Sequence, residues 1–222
     1  MITIGKILKR DMIRAARSGG AWAYGLIFML IFLSLSAIAL DGKMSTLREL
    51  GVALIWLAIT FAALMSADRA VSDDLKDGTT GQLWLSGFSY MDQAITTILS
   101  FSLINLLPLI LTVPLWSLLF DLDYRTVLGL VVSLLLALPG LAAFTVLAGA
   151  LTGGRGKGSF LAIFISAPLL IPILIFGIAA SEAFIGSGWH AVELRILSGL
   201  SLVALALSIP AIAASLSANT DK

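Results

Sequence analysis

Residues 21–40 read AWAYGLIFMLIFLSLSAIAL, twenty consecutive positions without a charged side chain. A helix needs about 20 apolar residues to cross the hydrocarbon core of a bilayer. Comparable apolar runs lie at 49–67, 94–120, 126–151, 159–180 and 194–216, where Glu49 and Arg195, each at the edge of its run, are the charged residues. These runs are apolar around the whole helix, so they do not read as amphipathic helices on a protein surface. Only 12% of the 222 residues are charged, against about 25% in a soluble domain, too few to build a water-facing exterior. The sequence therefore predicts an all-α membrane protein. It would form one transmembrane domain over 1–222, with six transmembrane helices and an N-terminal amphipathic interfacial helix within 1–20. The spans 94–120 and 126–151 are separated only by DLDYR, 121–125, and should form a tight hairpin. The first run, with its basic N-terminal flank and Ala37-Ile38-Ala39, imitates a cleaved signal sequence. It is longer than the 7–15 residues of a signal core and is read as a retained span.

Lys and Arg set the orientation of such a chain. One side holds Lys6, Lys9, Arg10, Arg14, Arg17, Arg69, Lys76, Arg155, Lys157 and Lys222; the other holds Lys43, Arg48, Arg125 and Arg195. Ten against four places both termini and the loops 68–93 and 152–158 in the cytoplasm. Residues 2–17, ITIGKILKRDMIRAAR, place Ile4, Ile7, Leu8, Met12 and Ala15 on one helical face, with the five cations opposite. Such a helix lies in the interface against anionic headgroups. It serves either as a topology anchor or as an elbow that moves with a cytoplasmic partner, and Ser18-Gly19-Gly20 lets the chain turn into the membrane.

Several chemistries find no purchase. There is no cysteine, so disulfides and thiolate sites are excluded, and a net charge of +1 gives no field for nucleic acid. The six runs hold no ionisable pair for proton relay; Asn105 is their strongest polar group. The loop GGRGKGS, 153–159, fails the phosphate-loop pattern because Gly158 follows Lys157. The one histidine, His190, sits beside Trp189 in GSGWHAVE and reads as interfacial. Pro108 and Pro114 in the third run, and Pro168 and Pro172 in the fifth, each remove a backbone hydrogen bond and should bend their helices.

Charge gathers instead in 68–92, where Asp68, Asp73, Asp74, Asp77 and Asp92 lie between two spans. Residues 68–77 can form a helix stopped by a left-handed Gly78. Thr79 and Gln82 then have the spacing of a capping box for a second short helix with apolar Leu83, Trp84 and Leu85. Ser89 with Asp92 can cap the third span. Asp73 and Asp74 each share a helical face with Asp77, at a cost of a few tenths of a kcal/mol. A solvated connector has no use for that cost, whereas an acidic knob can dock a basic partner.

The stretch LKDGTTGQLWLSGFS, with Gly78, Thr79 and Leu83 in a G-T-x-x-x-L pattern, resembles the element between the second and third spans of ABC-2-type transporter permeases. RAVSDDLKDGTTGQL together with LIPILIFG resembles the haem exporter protein B (CcmB) family of cytochrome c maturation along the whole chain. The resemblance implies a non-catalytic subunit of a bacterial inner-membrane complex, a homodimer within it. ATP would be hydrolysed on a separate CcmA-like ATPase gripping Asp73, Asp74, Asp77, Gly78, Thr79, Gln82 and Leu83. It further implies CcmC-like and CcmD-like membrane subunits and a CcmE-like haem chaperone, with haem handled by the complex and no cofactor held by this chain. A permease of the same fold moving a lipid or polysaccharide, or a stand-alone secondary transporter, are the alternatives.

Overall fold

The computed structural model describes residues 4–17, 23–67, 69–152 and 158–220, and all of its described elements are helical. Asp68, the turn Ser18-Gly19-Gly20 and most of the 152–158 loop lie outside the described residues. The chain runs α1 (Ile4–Arg17), α2 (Tyr24–Ala39), α3 (Met44–Ser66), α4 (Arg69–Lys76), α5 (Thr79–Leu85) and α6 (Tyr90–Phe101). A π-helical turn (Ser102–Leu106), α7 (Leu107–Leu111), α8 (Val113–Leu119) and α9 (Tyr124–Thr152) follow. The last elements are α10 (Gly158–Ser187), a 3-10 turn (Gly188–His190) and α11 (Val192–Thr220).

Among the described residues five helical stretches are long and apolar enough to cross a membrane, and they make this a multi-pass membrane protein. The first apolar run appears as α2, a shorter helix of 16 residues. It packs antiparallel to α3, with Gly25 at its start close to Ala62 near the end of α3.

The third run differs from a single helix. It is divided into α6, the π turn, α7 and α8, with Pro108 and Pro114 in the first turns of the last two. A proline offers no N–H to the preceding turn, so the ladder slips to wider spacing before Pro108 and breaks at Thr112. The Thr112 hydroxyl then donates to the Leu109 carbonyl at 2.7 Å, and the Trp116 indole N–H donates back to Thr112 at 3.2 Å. By contrast α10 continues through both Pro168 and Pro172.

Helix α9 is the hub, packing on α3, α4, α6, α10 and α11. Hydrocarbon supplies no hydrophobic drive between helices, so close approach and internal hydrogen bonds hold them. Both occur where α3, α9 and α10 meet. The Trp56 indole donates to the Ser181 hydroxyl at 2.9 Å, Ser133 and Ser181 lie 2.6 Å apart, and Ser181 donates to the Gly177 carbonyl at 2.8 Å. Trp56 is fully buried and lies so close to Gly177 that a Cβ there would come within 2.3 Å of the ring. At the end of the bundle remote from α4, the Arg48 guanidinium clamps Asp121, taking its carbonyl at 3.1 Å as well as its carboxylate. Beside it Asp123 caps α9. The Thr126 hydroxyl and the Arg125 and Thr126 amides hold its carboxyl below the usual carboxylate range.

Gly177→Ala forces a methyl into the Trp56 ring and should destabilise the chain by about 1–3 kcal/mol. Trp56→Phe, which removes the colliding atoms, should recover part of that loss. Thermal unfolding of the four members of this cycle in detergent checks both statements; additive losses would mean the two side chains do not compete for one space.

Candidate functional site

The polar end of the bundle is assembled from α1, α4, α5 and the start of α6. Asp77 closes α4 by donating its amide to the Asp73 carbonyl at 3.0 Å, and Gly78 follows at φ +70°. That left-handed turn redirects the chain, and α5 begins at once with Thr79. The capping box expected between Thr79 and Gln82 is not formed: Gly78 itself occupies the N-cap position, leaving Thr79 inside the first turn, and no side chain caps the helix. Its neighbour Thr80 is buried and its hydroxyl donates to the Asp74 carbonyl at 3.4 Å, tying α5 back onto α4. At the next joint Ser89 does cap α6, accepting from the Asp92 amide at 3.1 Å and donating to the Asp92 carboxylate at 2.7 Å.

The acidic residues do not act alike. Asp73 and Asp77 are exposed. Asp74 turns inward, where Arg14 of α1 donates to one carboxylate oxygen at 2.6 Å and Arg10 to the other at 3.3 Å. This hydrogen bond, with the fields of Asp74, Asp11 and Asp77, raises the Arg14 pKa above its ordinary value despite partial burial. Of the interfacial cations, Arg10 and Arg14 thus belong to an internal clamp, while Lys6, Lys9 and Arg17 are exposed. Gly78 and Gln82 are exposed and Leu83 is half-buried. Trp84 and Leu85 project outward, Trp84 stacking on Tyr90 with centroids 6.1 Å apart.

Three residues that the sequence reading did not single out complete the assembly. Asp11 lies on the apolar face of α1, seven residues after Ile4, where it accepts from the Ser100 hydroxyl of α6 at 2.8 Å and from Arg10 at 2.7 Å. Gln93 is buried, and its amide donates to the carbonyls of Thr80 and Phe88. A carboxylate and an amide at positions where the helical period calls for apolar residues were the available signals. Part of the α1 stripe faces protein, since Ile7 is buried, while Met12 is exposed. His190 is exposed at the opposite end beside Trp189, which packs edge-on against Phe184. Among the described residues no cluster of His, Asp and Glu gathers to hold a metal ion.

A bundle of long apolar helices with a capped, partly acidic helical knob at one end defines a polytopic membrane protein. The family described as "CcmB protein" matches residues 2–219. The chain belongs to that family. It is 32% identical over 222 residues to heme exporter protein B of Bradyrhizobium diazoefficiens, covering all of both chains. It is 33% identical to heme exporter protein B of Rhodobacter capsulatus over 96% of this chain and 98% of the relative. With the protein of that name from Haemophilus influenzae it shares 32% over 97% and 98%.

The clamp partners keep side-chain exposures of 30–48%, so each pair should contribute no more than about 1 kcal/mol. Its expected effect is positional. With no native cysteine to interfere, spin labels at Ala16 and Lys76 should report one narrow distance. Asp74→Asn should broaden it, and an unchanged distribution would mean that packing alone holds α1.

Proposed function

We propose that the chain is the membrane-embedded subunit of a haem-export complex serving c-type cytochrome assembly. ATP would be hydrolysed on a separate, CcmA-like subunit to drive haem export or release of a haem-loaded, CcmE-like chaperone. The observation that carries this reading is the family match across nearly the whole chain, with relatives named heme exporter protein B over their full length. Haem is cargo here, handled with CcmC-like and CcmD-like subunits and a second copy of this chain. The Lys and Arg distribution supports an inner-membrane chain with both termini, α4 and α5 in the cytoplasm.

The proposed docking site combines exposed Asp77, just past the end of α4, with Gln82, Trp84 and Leu85 on α5, and Asp73 stands at its margin, where it also lines the groove against α1. Aromatic and apolar anchors supply affinity while charges set register and partner choice. Asp74 contributes from below, through α1, and Gly78 fixes the angle between the two helices. An export permease for a lipid or polysaccharide would use the same knob; only its cargo would differ.

Asp77→Lys puts the wrong sign on the knob, and a desolvated charge pair broken in this way costs about 2–5 kcal/mol of binding. Gly78→Val places a β-branched residue at φ +70°, a strain of about 1–2 kcal/mol. Both variants should reach the membrane at normal abundance yet lose the co-purifying ATPase and c-type haem. Retention of both activities by both variants would reduce the loop to a connector. Loss of c-type cytochromes on deletion distinguishes haem handling from export of another substrate.

A further inference from the structure

A cavity of about 210 Å³ opens between α1, the end of α3, α4 and the π turn. Among the described residues that line it there is no His, Met or Tyr to meet haem iron. Its floor is apolar, Phe101 and Ile104, and its walls carry both signs of charge.

Some of that charge is already spent. Arg14 is committed to Asp74, and Asp11 to Arg10 and Ser100. The hydroxyls of Ser66 and Thr97 donate to carbonyls of their own helices. Three groups remain uncommitted. Arg69 lies over the Tyr24 ring at 5.0 Å and forms no ion pair among the described residues. Asp73 accepts only a long bond from Ser72 at 3.4 Å. Asn105, in the π turn, has no hydrogen bond among the described residues, and such turns often mark functional sites.

We propose that this cavity binds the headgroup of an aminophospholipid from the leaflet on which α1 lies. The phosphate meets Arg69, with the Asn105 amide as a further donor, and the primary ammonium meets Asp73. Depth favours a lipid: an Arg–Tyr pair at the mouth of a span sits at headgroup level, and the apolar floor receives the glycerol and first methylenes. Charge favours an amine. Once Arg10 and Arg14 are paired with Asp11 and Asp74, one guanidinium and one carboxylate remain, so a lipid carrying phosphate alone leaves Asp73 without a partner. A quaternary choline has no N–H to donate to Asp73.

Native mass spectrometry of the delipidated full chain, titrated with phosphatidylethanolamine, phosphatidylglycerol and phosphatidylcholine, tests this. The ethanolamine lipid should bind about tenfold more tightly than either of the others. Arg69→Gln and Asp73→Asn should each erase that preference, while Lys6→Gln, outside the cavity, should leave it intact. If Arg69→Gln fails to accumulate in the membrane, Asp73→Asn, which changes one side-chain atom on an exposed residue, decides alone. Free phosphoethanolamine should not displace the lipid; displacement at equal concentration would make the ligand a soluble amine phosphate and overturn the lipid assignment. Equal binding of all three lipids, or an Asp73→Asn chain with its preference unchanged, would overturn the site.

Discussion

Hydrocarbon offers no water to a peptide group, so every N–H and C=O within the membrane must be satisfied inside the protein. The other features of this structure follow from that constraint. Its elements are helices, its longest ones are apolar on all sides, and α9 gathers the others by close approach at glycine and by short serine bonds. In the broken third span Pro108 and Pro114 interrupt the ladder, and a π turn together with the side chains of Thr112 and Trp116 supplies local bonds at the break. Charge is consequently driven to the two ends, each closed by a clamp, Arg48 with Asp121 at one and Arg10 and Arg14 with Asp74 at the other.

The second clamp gives the polar end its organisation. A helix that could have served only as an anchor is linked through Asp74 to α4 and through Asp11 and Ser100 to α6. Gly78 and Thr80 fix α5 onto the same body, and Gln93 seals it from beneath. A partner pushing on α4 and α5 would therefore displace α1 with them, and α6 carries the displacement directly to the π turn. In the proposed complex, an ATPase docked on the knob would act on the broken span along these contacts.

Apolar runs, the sharp joint at Gly78 and the Ser89 cap were legible because each depends on residues close together in sequence. The clamp was not. Arg10 and Arg14 read as a basic face for lipid, and Asp74 as a free docking group, because nothing local says which distant helices will become neighbours. Asp11 was the one clue, a carboxylate seven residues after Ile4 on the apolar face of α1. The Thr79–Gln82 capping box failed for a local reason: a left-handed glycine took the N-cap position, shifting the helix start by one residue. The shortness of α2 and the break at Thr112 depend on packing and proline chemistry that hydropathy alone does not resolve.

In the proposed complex the knob of α4 and α5 meets an ATP-hydrolysing partner. A photo-cross-linker on a cysteine at Gln82, exposed on α5, tests it directly in native membranes, with the same label at Trp189 on the opposite end for comparison. The expected result is one cross-linked band from position 82 that contains the ATPase, lost on Gly78→Val, and none from position 189. A cross-link to the ATPase from position 189, with none from position 82, would contradict both the docking site and the orientation.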